Sequence, residues 1–140
     1  MNWHPMVVHF PLVLLPLSFA VDLVGWIGRR PDWHRGAYYL LVLGVLSSLA
    51  AVFTGNEAAL PFRGEAELVE HIERHEDLAT LVLFFFLGVA LGRLPLELQG
   101  RLDGWGLKSW ILAAGAGCVL LWQAGFYGGE LVYEYGVGVR

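Results

Sequence analysis

The sequence predicts an all-α fold, an integral membrane up-down antiparallel four-helix bundle, and three observations support this. Hydrophobic residues make up 56% of the 140 residues and charged residues only 16%, whereas soluble domains are about 45 to 50% apolar and about 25% charged. The apolar residues fall in four blocks that are almost free of charge, and a bilayer crossing needs about 20 such residues. Short connections rich in proline and glycine separate the blocks, which is typical of antiparallel neighbours.

The first two predicted helices cover roughly residues 5–28 and 37–60. Their apolar runs, 6–28 and 38–60, are each long enough to cross a bilayer. Arg29, Arg30 and Pro31 follow the first run, and Pro61 follows the second. Proline is typical of turns and loops, so we expect connections between helices at these positions.

The third and fourth predicted helices cover roughly residues 67–93 and 108–132. The third apolar run, 78–92, is short for a crossing, but the helical pattern extends back through Leu68 and Ile72. We therefore expect this helix to have a polar outer end. The segment 95–106, which contains Pro95 and several glycines, is expected to connect it to the fourth helix.

Composition excludes several classes of protein. The length predicts a single domain over residues 1–140, and the apolar content excludes a disordered chain. The single cysteine, Cys118, excludes a disulfide framework, and the absence of a CxxCH motif excludes a covalently attached c-type haem. A net charge of −4 argues against a nucleic-acid partner.

The basic residues predict the orientation of the bundle. Six of them fall on one side and three on the other, so the positive-inside rule makes the first side cytoplasmic. Both termini then lie outside a prokaryotic cytoplasmic (inner) membrane. Nine acidic residues share the outer side, which gives it a formal charge of −6. The inner basic residues are Arg29, Arg30, Arg35, Arg93, Arg101 and Lys108; the outer ones are Arg63, Arg74 and Arg140; the outer acids are Glu57, Glu65, Glu67, Glu70, Glu73, Glu76, Asp77, Glu130 and Glu134.

Four of the five histidines are predicted to lie at the outer end. His4 and His9 begin the first helix, and His71 and His75 begin the third, which runs in the same direction. At about 1.5 Å per residue, His9 lies about 7.5 Å deeper than His4, and His75 about 6 Å deeper than His71. His9 and His75 should therefore be at matching depths. Ionisable groups inside a membrane protein usually mark function.

Two other ionisable residues are expected to have ordinary surroundings. Asp22 is 13 residues from His9, so it should lie about 20 Å from the histidine site. We expect it to be neutralised near Arg29 and Arg30. We expect His34, beside Arg35 in the inner connection, to be solvated.

A pair of histidines at equal depth on separate helices suits the two axial positions of a porphyrin. We therefore expect haem b, with His9 and His75 as the iron ligands. The remaining outer histidines would orient the site, contact a propionate or serve as alternative ligands, and nearby glycines would line a planar ligand. The full set of candidate cofactor-binding residues is His9, His75, His4, His71, Gly55 and Gly128.

Two other interpretations remain open. A Zn, Cu or non-haem Fe site could use His71 and His75 with a carboxylate such as Glu57 or Glu130. Alternatively, the chain could be a structural subunit of a larger respiratory or photosynthetic complex, or a homo-oligomer. No nucleophile with an adjacent base, phosphate loop or carboxylate pair is evident, so we expect an electron carrier rather than an enzyme.

Several motifs resemble those of one family. Residues 4–11 read HPMVVHFP, residues 54–58 TGNEA, residues 75–79 HEDLA and residues 128–133 GGELVY. Together they are similar to a prokaryotic membrane-protein family known as domain of unknown function 2231. His4, His9 and His75 fall on its motif positions.

The resemblance implies four transmembrane helices. It also implies respiratory electron transfer, because members occur fused to, or beside, Rieske and c-type cytochrome modules. We therefore expect a small membrane-bound b-type cytochrome that contacts lipid and passes electrons at its outer, periplasmic face. Its acidic outer surface would dock a basic partner, a periplasmic cytochrome c or Rieske-type carrier, because complementary charge accelerates encounter.

Overall fold

Four helical spans form the molecule. The computed structural model describes residues 3–137, and in these residues each span is long and apolar enough to cross a membrane. The first span consists of α1 and α2, and the 3₁₀ turn Leu60–Phe62 extends the second. The helices are α1 (His4–Val7), α2 (His9–Ile27), α3 (Asp32–Ala59), α4 (Ala66–Gln99) and α5 (Gly104–Tyr133). The predicted all-α membrane bundle is confirmed.

A break at Val8 separates α1 from α2. Proline has no N–H to donate to the carbonyl four residues earlier, and its ring crowds that carbonyl. Pro11 therefore cannot bond to Val7, which is the residue where α1 ends. Regular bonding resumes at once, since Leu12 N donates to Val8 O at 3.3 Å.

Three helices are longer than the sequence predicts, and α5 begins at Gly104 rather than near residue 108. The second predicted helix corresponds to α3. It begins at Asp32 rather than near residue 37, because Pro31 has a helical φ of −59° and can precede the first turn. The third continues through Pro95 and ends at Gln99. Gly100 stops it by adopting a left-handed φ of 61°, which costs glycine little. The connection before α5 is therefore shorter than predicted.

The helices α2 to α5 pack in a ring, in which each helix contacts two neighbours. The contacts pair α2 with α3, α3 with α4, α4 with α5, and α5 with α2. The first span is thus diagonally opposite α4. Each of the four spans contributes a large buried side chain to the core, namely Leu15, Leu41, Phe86 and Leu121.

A buried ionic cluster crosses this diagonal at the end of the bundle near the α2–α3 connection. Asp22 of α2 forms an ion pair with Arg93 of α4, and both residues are only 1% exposed. His34 of α3 bonds to Asp22 through Nδ1 at 2.8 Å. The Arg93 guanidinium also donates to the His34 carbonyl at 2.9 Å and to Glu97 at 2.7 Å. The cluster therefore joins three helices.

This cluster corrects two expectations. Asp22 is neutralised by Arg93 rather than near Arg29 and Arg30, because Arg93 points into the bundle instead of towards the interface. His34 is buried rather than solvated, since the early start of α3 brings it within the helix and against Asp22.

Replacing Asp22 with asparagine should destabilise the bundle strongly. Loss of one partner from a buried ion pair costs about 3 to 5 kcal/mol, and we expect about 3 kcal/mol here because Glu97 still pairs with Arg93. Thermal unfolding in detergent measures the change. Asp32→Asn, which alters an exposed acid, is the matched control. Equal stability of the two variants would contradict the assigned role of Asp22.

Candidate functional site

A cavity of about 390 Å³ lies at the opposite end of the bundle, which we call the histidine end. This volume is within the range of about 300 to 1,000 Å³ that small-molecule and cofactor sites occupy. Eight small residues from α3, α4 and α5 form part of its wall. The small lining residues are Ala51, Gly55, Ala58, Ala59, Ala79, Gly125, Gly128 and Gly129, and the histidines are His4, His9 and His75.

His4 enters the site from α1 and is oriented by α3. Its Nδ1 lies 3.2 Å from the Thr54 hydroxyl. The hydroxyl proton is directed to the carbonyls of Ala50 and Ala51, so the Thr54 oxygen accepts and His4 Nδ1 donates. A Cβ added at Gly55 would lie 3.0 Å from His4 Cε1. Glycine at this position therefore leaves room for the ring.

His75 is held in the same way by α5. Its Nδ1 donates to the carbonyl of Ala124 at 3.0 Å. A Cβ added at Gly128 would lie 2.8 Å from His75 Cε1. Each of the two imidazoles is thus anchored through Nδ1 and packed against a glycine. In the neutral rings this tautomer carries the lone pair on Nε2.

His4 and His75 face each other across the bundle. Their ring centres are 6.3 Å apart and their planes are inclined at 74°. This separation would let both imidazoles hold one bound group between them.

The pairing follows from a repeated spacing in the sequence. His4 precedes Asp22 by 18 residues, and His75 precedes Arg93 by 18 residues. At 3.6 residues per turn, 18 residues make about five full turns. His4 therefore lies on nearly the same face as Asp22, and His75 lies on the same face as Arg93. The ion pair and the histidine pair consequently cross the same diagonal, and this spacing could have identified His4.

His9 is not the residue that faces His75, which corrects the predicted pairing. Five residues along a helix correspond to a rotation of about 140°, so His4 and His9 point in different directions. His9 lines the cavity but is exposed, and its Nδ1 donates to the Pro5 carbonyl at 2.6 Å. The depth argument matched the wrong residues because α4 extends further outwards than the first span.

His71 lies outside the cavity, one turn further out than His75. Its Nε2 is 2.8 Å from the Tyr135 hydroxyl, and the two rings are 4.5 Å apart. Tyr135, together with Phe62 and Val137, packs around a small apolar cluster formed by Ala59, Leu68, Ile72 and Leu131. His71 thus helps to pack the outer end of the bundle.

The structure does not assemble the alternative metal site. Within residues 3–137 no group of three histidine, cysteine or acidic side chains is placed to hold a metal ion. Glu57 and Glu130 are not part of such a group with His71 and His75. His4 and His75 face each other in the cavity, whose wall also includes His9 and Glu76; Glu76 is paired with Arg63.

Substituting Gly128 with alanine should disturb His75. Overpacking costs about 1 to 3 kcal/mol, whereas alanine is favoured over glycine in a helix by about 1 kcal/mol. Gly129→Ala is the matched control, because nothing lies within 4 Å of a Cβ there. We expect Gly128→Ala to be less stable than Gly129→Ala by about 1 to 3 kcal/mol in thermal unfolding. Equal stabilities would show that His75 is not confined.

The family to which the chain is similar is one of membrane proteins. The model of the family described as a predicted membrane protein (DUF2231) matches residues 1–140. No curated protein and no solved structure matches the chain. Since the family model covers the whole sequence, the chain belongs to the DUF2231 family of predicted membrane proteins.

Proposed function

We propose that the chain is a small membrane-bound b-type cytochrome, an electron carrier rather than an enzyme, in which His4 and His75 would hold one haem b. The observation that carries this proposal is the opposed pair of imidazoles, 6.3 Å apart and each anchored through Nδ1. Ligating histidines usually donate their other ring N–H to an oxygen atom, which fixes the ring and raises its basicity.

The number of converging ligands favours a porphyrin over a bare ion. A structural zinc site needs four ligands and a catalytic one three, whereas a porphyrin supplies four nitrogens and needs at most two from the protein. His4 and His75 provide two. The small residues around them leave space for a flat, apolar ligand, and the cavity volume of about 390 Å³ is of the size that cofactors use.

The groups around His4 and His75 would influence the redox potential of the bound haem. Haem would supply one-electron redox chemistry. Thr54 and the Ala124 carbonyl hold the rings at fixed angles. Burial and hydrogen bonding to the axial ligands are two of the means by which a protein sets haem potential.

The acidic residues at the histidine end supply a docking surface for a positively charged electron carrier, such as a periplasmic cytochrome c or a Rieske-type protein. Seven of them are exposed, namely Glu57, Glu65, Glu67, Glu70, Glu73, Asp77 and Glu134. Opposite charge on a partner would increase the rate of encounter. The positive-inside rule supports an orientation with this end outside the inner membrane.

Removal of either facing histidine should abolish haem binding. Protein produced with adequate haem should show a Soret band that shifts on reduction and one haem per chain. His4→Ala and His75→Ala should lose this spectrum, because each removes an axial ligand. His9→Ala and His71→Ala are matched controls that should keep it, since their rings bond to Pro5 and Tyr135.

Other outcomes would exclude the proposal. A colourless wild-type protein would contradict haem binding, and stoichiometric Zn, Cu or non-haem Fe without porphyrin would support a metal-binding protein instead. Unchanged assembly with partner chains after replacement of all four outer histidines would support a structural subunit.

Electron exchange with a basic carrier should depend on ionic strength. The rate should fall as salt screens the acidic surface. Neutralising Glu67 and Glu70 with glutamine should lower the rate at low salt, whereas Asp103→Asn, at the other end of the bundle, should not. Stopped-flow mixing with a positively charged cytochrome measures this, and a salt-independent rate would argue against docking at the histidine end.

A further inference from the structure

A second groove runs along the outside of the bundle between α4 and α5. It has a volume of about 520 Å³ and opens towards the surroundings of the bundle rather than into the histidine cavity. The eight residues that line it all belong to these two helices. It is therefore separate from the candidate haem site, and the inference below does not depend on that site.

The groove crosses the boundary between the charged and apolar parts of α4. The helix carries charged residues as far as Asp77, and uncharged residues follow from Leu78 to Gly92. Arg74 and Asp77 line the groove on one side of this boundary, and Leu78 and Leu81 line it on the other. In a membrane this boundary lies at the headgroup level, so the groove can receive the headgroup and the upper acyl chain of one lipid.

The polar half of the groove contains one cation and one anion that are not paired with each other. Arg74 lies over the Tyr127 ring, with 4.5 Å between the guanidinium carbon and the ring centre. In the described part of the chain, neither Arg74 nor Asp77 belongs to an ion pair. The two residues are three positions apart on a helix, so their side chains are neighbours on one face.

Apart from Gln123, the other half of the groove is formed by large, uncovered apolar side chains. Trp122 is 78% exposed and Phe126 is 64% exposed, and Leu81 on the facing helix is 49% exposed. These side chains lie where a membrane would surround the bundle. An acyl chain is the occupant that would pack against them.

From these charges we infer that the groove binds a zwitterionic phospholipid with a primary ammonium group, that is, a phosphatidylethanolamine. Its phosphate would accept hydrogen bonds from Arg74, and its ammonium would donate to the Asp77 carboxylate. Choline lipids carry the same charges but have no N–H to donate. Anionic lipids place an uncompensated negative charge next to Asp77.

Native mass spectrometry of the purified full chain tests this inference. The protein is mixed with equal amounts of phosphatidylethanolamine, phosphatidylcholine and phosphatidylglycerol, and the retained lipid is identified. We expect wild type to retain phosphatidylethanolamine about tenfold better than either competitor. Arg74→Gln should reduce this retention about tenfold, and Asp77→Asn should remove the preference over phosphatidylcholine and phosphatidylglycerol.

The control variants alter exposed charges that do not line the groove. Glu73→Gln is matched to Asp77→Asn, and Arg101→Gln is matched to Arg74→Gln. Both controls should retain phosphatidylethanolamine as wild type does. Equal retention of the three lipids, an unchanged preference in Asp77→Asn, or a prenylquinone bound in place of phospholipid would overturn the inference.

Discussion

The ion pair between Asp22 and Arg93 is the interaction on which the rest of the bundle depends. A charge in a hydrocarbon environment is costly unless it is paired, so the two side chains fix the facing surfaces of α2 and α4. His34 adds α3 to the same cluster. Because His4 and His75 each lie 18 residues from one member of the pair, the constraint at one end also sets which side chains face each other at the other end.

A continuous apolar core separates the ionic cluster of Asp22 and Arg93 from the cavity that contains His4 and His75. Eighteen residues of helix correspond to about 27 Å, and Leu15, Leu41, Phe86 and Leu121 fill the bundle between the sites. Glycines allow the core to pack closely, as where a Cβ added at Gly44 would lie 2.4 Å from Leu15 Cδ2. The bundle therefore combines a rigid, ionically cross-linked end with an end that contains a cavity. Small residues at that end leave space where bulky ones would close the bundle.

The four spans could be predicted from the sequence because the number, length and spacing of apolar runs are local properties. The rotation of each helix is not local, and this is why His9 was predicted where His4 is found and why His34 was expected in solvent. Counting residues from the helix starts predicts neither the relative depth of the histidines nor their direction, because α4 extends further outwards than the first span. Asp22 and Arg93 carried the missing information, since a buried acid and a buried base must meet. The predicted end of α4 is too early because Pro95 favours a helix end there, whereas α4 continues through Pro95 to Gln99.

The central claim is that two histidine nitrogens from opposite sides of the bundle coordinate one haem iron. Electron paramagnetic resonance of the oxidised protein, prepared with ¹⁵N-labelled histidine and adequate haem, tests it directly. The account predicts one low-spin ferric signal that represents all of the haem and shows hyperfine coupling to two histidine nitrogens. A high-spin signal, coupling to a single histidine, or protein without haem iron would contradict it.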